Sequence, residues 1–240
     1  MTAIQMLKVG RVREAQQAIG AWLRDHPSDT TQRTFLFELL CFSGSYDRAK
    51  KHLAILAKGG QSQELGAVLY FSALHAEMLR HERYQDATAP PECVQSPPGR
   101  LNGYAFQSLS DADPKIGARV EVFAAGSYLW IPFTHLSTIY MEPPRRLRDT
   151  LWAPATLTAS AGFEDSEPRQ VLLPAIYPYS WEAEHEALWL GRTTEWMARG
   201  SSGETPVGQK MLIVDGEEMP FLEIRSLEFD KPLESGDGVA

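Results

Sequence analysis

The sequence lacks the features of secreted and membrane-spanning proteins. It has only two cysteines in 240 residues, Cys41 and Cys93, which are too few for a disulfide framework. No apolar run approaches the roughly 20 residues that cross a bilayer. The N-terminus has no apolar segment after a basic stretch, so we predict no secretory signal. These absences together favour a cytoplasmic protein in a reducing compartment.

Catalytic and cofactor motifs are missing as well. The sequence has no glycine-rich phosphate loop, no H-E-x-x-H and no G-x-S-x-G. Its six histidines are scattered, and none stands at metal-ligand spacing from a cysteine or another histidine. Cys41 lies within an apolar helical pattern, which predicts a buried and unreactive thiol. Apart from the acidic pattern Asp111-Ala-Asp113, the sequence contains no candidate for a catalytic or metal site, and we predict no catalytic residue, no cofactor and no metal.

Negative charge is concentrated in the second part of the chain. Residues 1–88 carry 11 basic and 9 acidic residues, which gives a net charge of +2. Residues 89–240 carry 12 basic and 22 acidic residues, which gives −10. An acidic surface repels phosphate groups, so we expect neither nucleic acid nor an anionic membrane as a partner.

A 34-residue period runs through the first part of the chain. Gly10 matches Gly44, and Ala15 matches Ala49, each at an offset of 34 residues. A glycine at the turn between two helices, followed by a small residue and apolar positions on one face, is typical of tetratricopeptide-like helix pairs. The period therefore predicts that residues 1–88 form a stack of helical repeats.

One helix of this stack has a side on which a partner is expected. The apolar pattern predicts a helix at Thr30–Phe42, and stacked helical repeats bind peptides along such surfaces. We predict a partner-contact strip on the face opposite its partner helix, formed by Thr34, Glu38, Cys41 and Phe42. An ordinary solvated or domain-facing side remains the alternative.

The second part of the chain reads as β structure. Residues 89–103 are rich in proline and glycine, which predicts a linker. Beyond them, short runs of Val, Ile, Tyr, Phe and Trp separated by turns predict an antiparallel, barrel-like β domain at residues 104–232. Residues 233–240 form a predicted disordered tail. The chain is thus expected to have an α+β fold.

Two elements within this β part are predicted individually. Asp215-Gly216 is a strong turn signal, and it predicts a hairpin between strands at Lys210–Val214 and Met219–Arg225. Glu182–Gly191 is expected to be a helix, because it carries Leu188, Trp189 and Leu190 among charged residues.

The acidic pattern is Asp111-Ala-Asp113. Paired carboxylates bind hard metal ions or act as acid and base. Aspartate also caps turns, and Pro114 follows directly, so a structural role is the alternative and the one we favour.

Between Ser110 and Ala155, Trp, Pro, Phe and Arg recur in a fixed order. This block resembles the signature of the ImpE/SciE family, also called TagJ, whose members are accessory proteins of bacterial type VI secretion. The resemblance covers nearly the whole chain. We expect the residues that carry it to be structural: Asp111, Asp113, Gly126, Trp130, Pro132, Phe133, Glu142, Pro143, Leu147, Arg148, Asp149, Trp152 and Pro154.

The resemblance implies an adaptor rather than an enzyme. It implies that the partner is the N-terminal helix of the small subunit of the contractile sheath, with an indirect link to sheath recycling by an AAA+ unfoldase. Two alternatives stay open. One is a metal-dependent enzyme that uses Asp111 and Asp113, and the other is a regulatory scaffold of another bacterial assembly.

Overall fold

A computed structural model of the chain describes residues 1–86, 95–160, 167–198 and 204–230. Helices form its first part and antiparallel strands its second, so the chain has the expected α+β fold. None of the helices in these ranges combines the length and apolar character needed to cross a membrane. The first part contains α1 (Ala3–Lys8), α2 (Val12–Asp25), α3 (Thr30–Phe42), α4 (Tyr46–Leu56) and α5 (Gln61–Asp86).

The glycines of the 34-residue period lie at the turns between helices. Gly10, between α1 and α2, and Gly44, between α3 and α4, both have left-handed backbones, with φ of 79° and 67°. A Cβ atom on Gly44 would also lie 2.6 Å from the indole of Trp181. Glycine is therefore required there both by the backbone and by the close packing. The tetratricopeptide-like character of the stack stays a prediction.

Helix α3 has the bounds that its apolar pattern predicts. Its N-terminus is capped by Asp29, whose carboxylate accepts a hydrogen bond of 2.9 Å from the backbone N–H of Gln32. Burial extends all around the second half of the helix, from Leu36 to Phe42. A helix that is apolar on every side lies inside a structure rather than on its surface.

The second part contains thirteen strands and one short α-helix in its described residues. The helix is α6 (Glu186–Trp189). The strands are β1 (Gly99–Leu101), β2 (Tyr104–Phe106), β3 (Leu109–Asp111), β4 (Arg119–Ala124), β5 (Ser127–Pro132), β6 (Leu136–Met141), β7 (Trp152–Ala159), β8 (Arg169–Pro174), β9 (Thr194–Ala198), β10 (Glu204–Gly208), β11 (Met211–Val214), β12 (Glu217–Pro220) and β13 (Ser226–Phe229).

Eight of these strands form one antiparallel sheet in the order β2-β1-β13-β6-β7-β8-β4-β5. Two smaller sheets, β10-β9 and β12-β11-β3, accompany it. In the described ranges β2 and β5 are edge strands with no pairing between them, so the main sheet is open rather than a closed barrel.

The predicted hairpin is present but shorter than expected. Asp215 and Gly216 have φ of 51° and 92°, which suits a tight turn between β11 and β12. The second strand ends at Pro220 instead of continuing to Arg225. The chain enters a 3-10 turn there, which buries Phe221, and pairing resumes in β13.

Two further expectations need correction. Of the segment expected to be helical, Glu182–Gly191, only the four residues of α6 form an α-helix. Leu188, Trp189 and Leu190 are consecutive and all buried, so they do not form the single apolar face of a longer surface helix. The predicted linker at 89–103 ends within the sheet, since β1 pairs with both β13 and β2. Residues 87–94, including Cys93, and the predicted tail at 233–240 lie outside the described residues.

One hydrophobic cluster continues from the helices into the sheet. Apolar side chains of α2 to α5 pack together with Phe123, Tyr128, Trp152 and Leu172 from the β part. A second cluster fills the space between the strands, around Phe133, Ile139 and Leu227. The helices therefore rest directly on the sheet, and α5 lies at the contact. The division of the chain into separate domains stays a prediction.

Candidate functional site

A chain of buried ion pairs joins α5 to the sheet. Arg80 of α5 donates from Nε and Nη2 to the two carboxylate oxygens of Glu121 on β4, over 2.7 and 2.8 Å. Lys210, which precedes β11, lies 2.6 Å from Glu121 and 2.5 Å from Asp111 of β3. All four side chains are almost completely buried. Three β-strand regions and one helix are therefore held by a single charged network.

The network keeps its groups charged despite burial. Burial by itself raises the pKa of Glu121, but Arg80 and Lys210 outweigh it and hold that pKa well below its usual range. Burial likewise opposes the charge of Lys210, whereas Asp111 and Glu121 raise its pKa. Buried charges are tolerated only when they are paired and hydrogen-bonded, so each partner depends on the others.

Glu77 extends this network along α5. Its carboxylate lies 3.1 Å from Arg80 and 3.1 Å from Nε2 of His81, and it accepts a hydrogen bond of 2.8 Å from the indole N–H of Trp152. Burial raises the pKa of Glu77, but Arg80, His81 and Trp152 outweigh it and lower the pKa to about 2. Trp152 belongs to β7, so this carboxylate provides another contact between helix and sheet.

Asp111 and Asp113 are both occupied by protein partners. Besides Lys210, Asp111 accepts hydrogen bonds from the hydroxyl of Tyr177 and the backbone N–H of Asp113. Asp113 accepts from the hydroxyl of Tyr84 and the backbone N–H of Lys115. Burial raises the pKa of Asp111 to about 6. In the described part of the chain, no group of three or more His, Cys, Asp and Glu residues is placed to hold a metal ion.

An open groove of about 450 Å³ lies between α3, α4, α5 and residues 146–148. We call it the helical groove. Its lining is largely apolar and includes Phe37, Leu53, Leu56, Ala67 and Tyr70. Gly66 of α5 also lines it, and a Cβ atom there would meet nothing within 4 Å. The groove is therefore open to a side chain or a segment of another protein.

The predicted contact strip of α3 is mostly inside the protein. Thr34 is half-buried and lines the helical groove. Glu38, Cys41 and Phe42 are 8%, 2% and 2% exposed, so the four residues do not form an exposed strip. The pattern was misjudged because α3 is covered on both sides, by its neighbouring helices and by the β part. Partner contact by Thr34 stays a prediction.

Two arginines also line the helical groove. Arg148 donates to Glu38 over 3.0 Å, and its guanidinium lies 4.6 Å from the ring centre of Tyr70. Burial raises the pKa of Glu38, which Arg148 partly opposes. Arg146 is exposed. Both residues line the groove, so positive charge adjoins its apolar lining.

Comparison with known proteins shows the family of this chain. Residues 103–228 match the sequence profile of a family described as ImpE protein. The chain is also 31% identical to a type VI secretion system accessory component, TagJ, from Pseudomonas aeruginosa, over 96% of this chain and 92% of that protein. The chain belongs to the ImpE family.

A solved structure confirms the fold of this ImpE-family chain. The fold of this chain resembles that of protein VPA1032 from Vibrio parahaemolyticus, solved by X-ray crystallography, with a TM-score of 0.84. The match covers 96% of this chain and 98% of that one. The two sequences are only 20% identical, so the likeness concerns the fold alone.

Several ImpE signature residues lie along β5 and its turn. Gly126 has a φ of 85° in the turn between β4 and β5. The indole N–H of Trp130 donates to the hydroxyl of Tyr128, which in turn donates to Glu121 over 2.5 Å. Pro132 ends β5, and Phe133 is buried in the core of the β part. These residues have packing partners, and a structural role for them stays a prediction.

The structure brings four other signature residues together. Glu142, Pro143, Asp149 and Pro154 line a second open pocket of about 530 Å³ on the β part. The Asp149 carboxylate accepts hydrogen bonds from the backbone N–H groups of residues 145 and 146, which fixes the bend of this segment. Leu147 packs on the core cluster shared by the helices and the sheet.

The sequence reading missed the charged network. Sequence patterns did not single out Glu77, Arg80, Glu121 and Lys210, because the partners are distant in the sequence. Glu121, for example, lies 89 residues before Lys210. One signal was present in the strand V-E-V-F at 120–123, where a glutamate stands among apolar residues of a buried strand. Such a residue rarely lies inside a protein without an ionic partner.

Replacing Glu121 with glutamine is expected to destabilise the protein by about 3–5 kcal/mol, because Arg80 and Lys210 would lose a buried counter-charge. Urea unfolding followed by circular dichroism measures the change. Glu142→Gln is the matched control, since Glu142 pairs with Arg145 at the surface, where the side chains are 73% and 76% exposed. The control is expected to change stability by less than about 1 kcal/mol. Equal effects of the two variants would contradict a stabilising role of the network.

Acid stability is expected to depend on Glu77. Its pKa is about 2 in the folded chain against an ordinary value of 4.5. Because the folded pKa is the lower one, the carboxylate stabilises the fold above about pH 4.5, and this contribution is lost as the pH falls towards 2. The shift corresponds to about 3 kcal/mol. Glu77→Gln should therefore flatten the dependence of unfolding free energy on pH between these values, and an unchanged slope would refute the assignment.

Proposed function

We propose that this ImpE-family chain is a non-enzymatic accessory component of a bacterial type VI secretion system, acting in the cytoplasm. The P. aeruginosa relative, which aligns with nearly the whole chain, carries that description. We further propose that it is an adaptor for the N-terminal helix of the small sheath subunit, with an indirect link to sheath recycling by an AAA+ unfoldase. The finer proposal comes from the family resemblance and from the shape of the helical groove.

The helical groove is the observation that supports the adaptor role. Amphipathic helices bind other proteins by laying an apolar face into an apolar groove. Half-buried Leu56 and Tyr70 supply apolar lining, and Gly66 leaves open space at the wall. If α2 to α5 form tetratricopeptide-like repeats, as the sequence period predicts, a peptide-binding groove is also the usual use of such a stack.

The enzyme alternative receives less support from the same structure. Asp111 and Asp113 are buried, and their carboxylates already accept hydrogen bonds or ion pairs from Lys210, Tyr177 and Tyr84. A hard metal ion would have to displace these partners before it could bind.

Addition of Mg²⁺ or Mn²⁺ is therefore expected to leave the melting temperature unchanged. A ligand that binds only the folded state raises the melting temperature as its concentration rises. Differential scanning fluorimetry of the full chain, with and without chelator, measures this. A rise that follows the metal concentration and disappears in Asp113→Asn would favour the metal-dependent alternative.

A groove-filling substitution tests the adaptor proposal. A labelled peptide with the sequence of the sheath small subunit's N-terminal helix is titrated with the full chain by fluorescence anisotropy. Gly66→Leu is expected to weaken binding by roughly tenfold or more, about 1.4 kcal/mol, because the new side chain occupies the groove. The helix itself should not suffer, since leucine favours helix more than glycine by about 1 kcal/mol.

Gly20→Leu is the matched control. Gly20 lies in α2, does not line the groove, and also has nothing within 4 Å of an added Cβ atom. This variant should bind like the parent protein. Absence of peptide binding by the parent would reject the sheath-adaptor role and favour a scaffold of another assembly. Equal binding by both variants would place the partner outside the groove.

A further inference from the structure

The second open pocket, of about 530 Å³, lies on one face of the main sheet, and we call it the sheet pocket. Tyr140 of β6, Thr156 of β7 and Gln170 of β8 line it and are paired in register across the three strands. Residues paired in this way point to the same side of a sheet. Leu172, two residues beyond Gln170 on β8, points to that side as well and belongs to the cluster shared with the helices. The sheet pocket is therefore a part of this face that the helices leave uncovered.

One arginine of the sheet pocket is held in position at both its backbone and its side chain. Arg225 directly precedes β13, and its backbone N–H donates to the side-chain oxygen of Asn102 over 2.7 Å. Its Nη1 donates to the backbone carbonyls of Leu222 and Ile224 over 2.8 and 2.6 Å. The residue is half-buried and lines the sheet pocket. Because these contacts order the guanidinium before a ligand arrives, binding costs less conformational entropy.

The other edge of this guanidinium is free. Among the described residues, Nε and Nη2 of Arg225 have no hydrogen-bonding or ionic partner. Neither nitrogen is sealed from solvent. The N–H groups on this edge are parallel, and their spacing matches the two oxygens of a carboxylate. Arg225 therefore presents a preformed two-pronged donor to a ligand.

The acidic residues that line the sheet pocket are already engaged. Glu142 lies 2.6 Å from Arg145 in an exposed ion pair. The Asp149 carboxylate accepts hydrogen bonds from the backbone N–H groups of residues 145 and 146. In the described part of the chain, neither carboxylate pairs with Arg225. Both nevertheless repel anions, and a doubly charged phosphate more strongly than a singly charged carboxylate.

We propose that the sheet pocket binds a carboxylate group, which Arg225 holds through Nε and Nη2. The site is separate from the helical groove and does not require the sheath subunit as its ligand. The lining favours an acidic side chain of a protein partner, because tyrosine and arginine are enriched at protein interfaces. Tyr140 is 46% exposed and lines the pocket together with Pro143 and Pro154. A small-molecule carboxylate is the other source of the same chemistry.

Two pairs of small ligands test the proposal on the full chain. The capped tripeptides Ac-Ala-Glu-Ala-NH2 and Ac-Ala-Gln-Ala-NH2 form one pair, and benzoate and benzamide form the other. Each ligand is titrated to about 20 mM, which captures millimolar affinities, while two-dimensional NMR records the backbone amides and the arginine Nε–H groups. We expect a carboxylate to shift the Nε–H signal of Arg225 in a saturable way. The neutral ligand of the same pair should bind at least about tenfold more weakly, and the difference should shrink as salt rises.

Two variants and one control locate the binding. Arg225→Lys keeps the charge but removes the two-pronged donor, so carboxylate binding should weaken by about tenfold. Arg100→Lys is the matched control, because Arg100 is an exposed arginine of β1 in the same sheet and does not line the pocket. Thr156→Tyr fills the floor while leaving the carbonyl contacts of Arg225 in place, and tyrosine suits a strand. This variant should also bind less tightly at an unchanged melting temperature.

Three results would each overturn the proposal: no saturable binding of either carboxylate, equal binding of the charged and neutral ligands, or undiminished binding by both Arg225→Lys and Thr156→Tyr. Tighter binding of the Glu peptide than of benzoate would support an acidic side chain of a protein as the source of the carboxylate. The reverse order would support a small-molecule carboxylate. Failure of the sheath peptide to bind the helical groove would not change these results, since the two titrations concern different sites.

Discussion

The paired hydrogen bonds between Arg80 and Glu121 constrain the position of α5, and much of the structure depends on that position. Both side chains are about 1% exposed, so neither finds water as a substitute for the other. With Glu77 on one side and Lys210 on the other, the network fixes the rotation of α5 against the sheet. The same helix carries Gly66, Ala67 and Tyr70 into the helical groove. The wall of the groove is therefore positioned by ion pairs that lie away from it.

The opposite wall is set by a different ion pair. Glu38 of α3 binds Arg148, whose guanidinium also lies over Tyr70 of α5. This arginine thus contacts both helices that flank the groove, and it comes from the β part of the chain. Since one edge of its guanidinium is used by Glu38, Nε is left without an acceptor. The β part of the chain therefore takes part in positioning both helices.

Sequence alone predicted the local features and not the distant ones. The bounds of α3, the turn at Gly44 and the turn at Asp215-Gly216 follow from short-range rules of capping, apolar period and left-handed backbone. The α+β class and the ImpE resemblance were also within reach. The pairing of Arg80 with Glu121 was not, because 41 residues separate them and nothing in either segment indicates which residue is the partner. The contact strip predicted on α3 is mostly buried for a related reason. Helix geometry shows which residues share a face of a helix, but it does not show which other elements cover that face.

The helical groove could not be predicted from the sequence either. Phe37, Leu53 and Ala67 have the apolar spacing of core residues, and nothing in their pattern separates a groove lining from a packed interior. The groove is distinguished by the open space at Gly66, which becomes visible only when the surrounding helices are in place. Open space of this kind leaves little trace in a hydrophobic pattern. Its recognition therefore depends on the fold, whereas the family depends on the sequence.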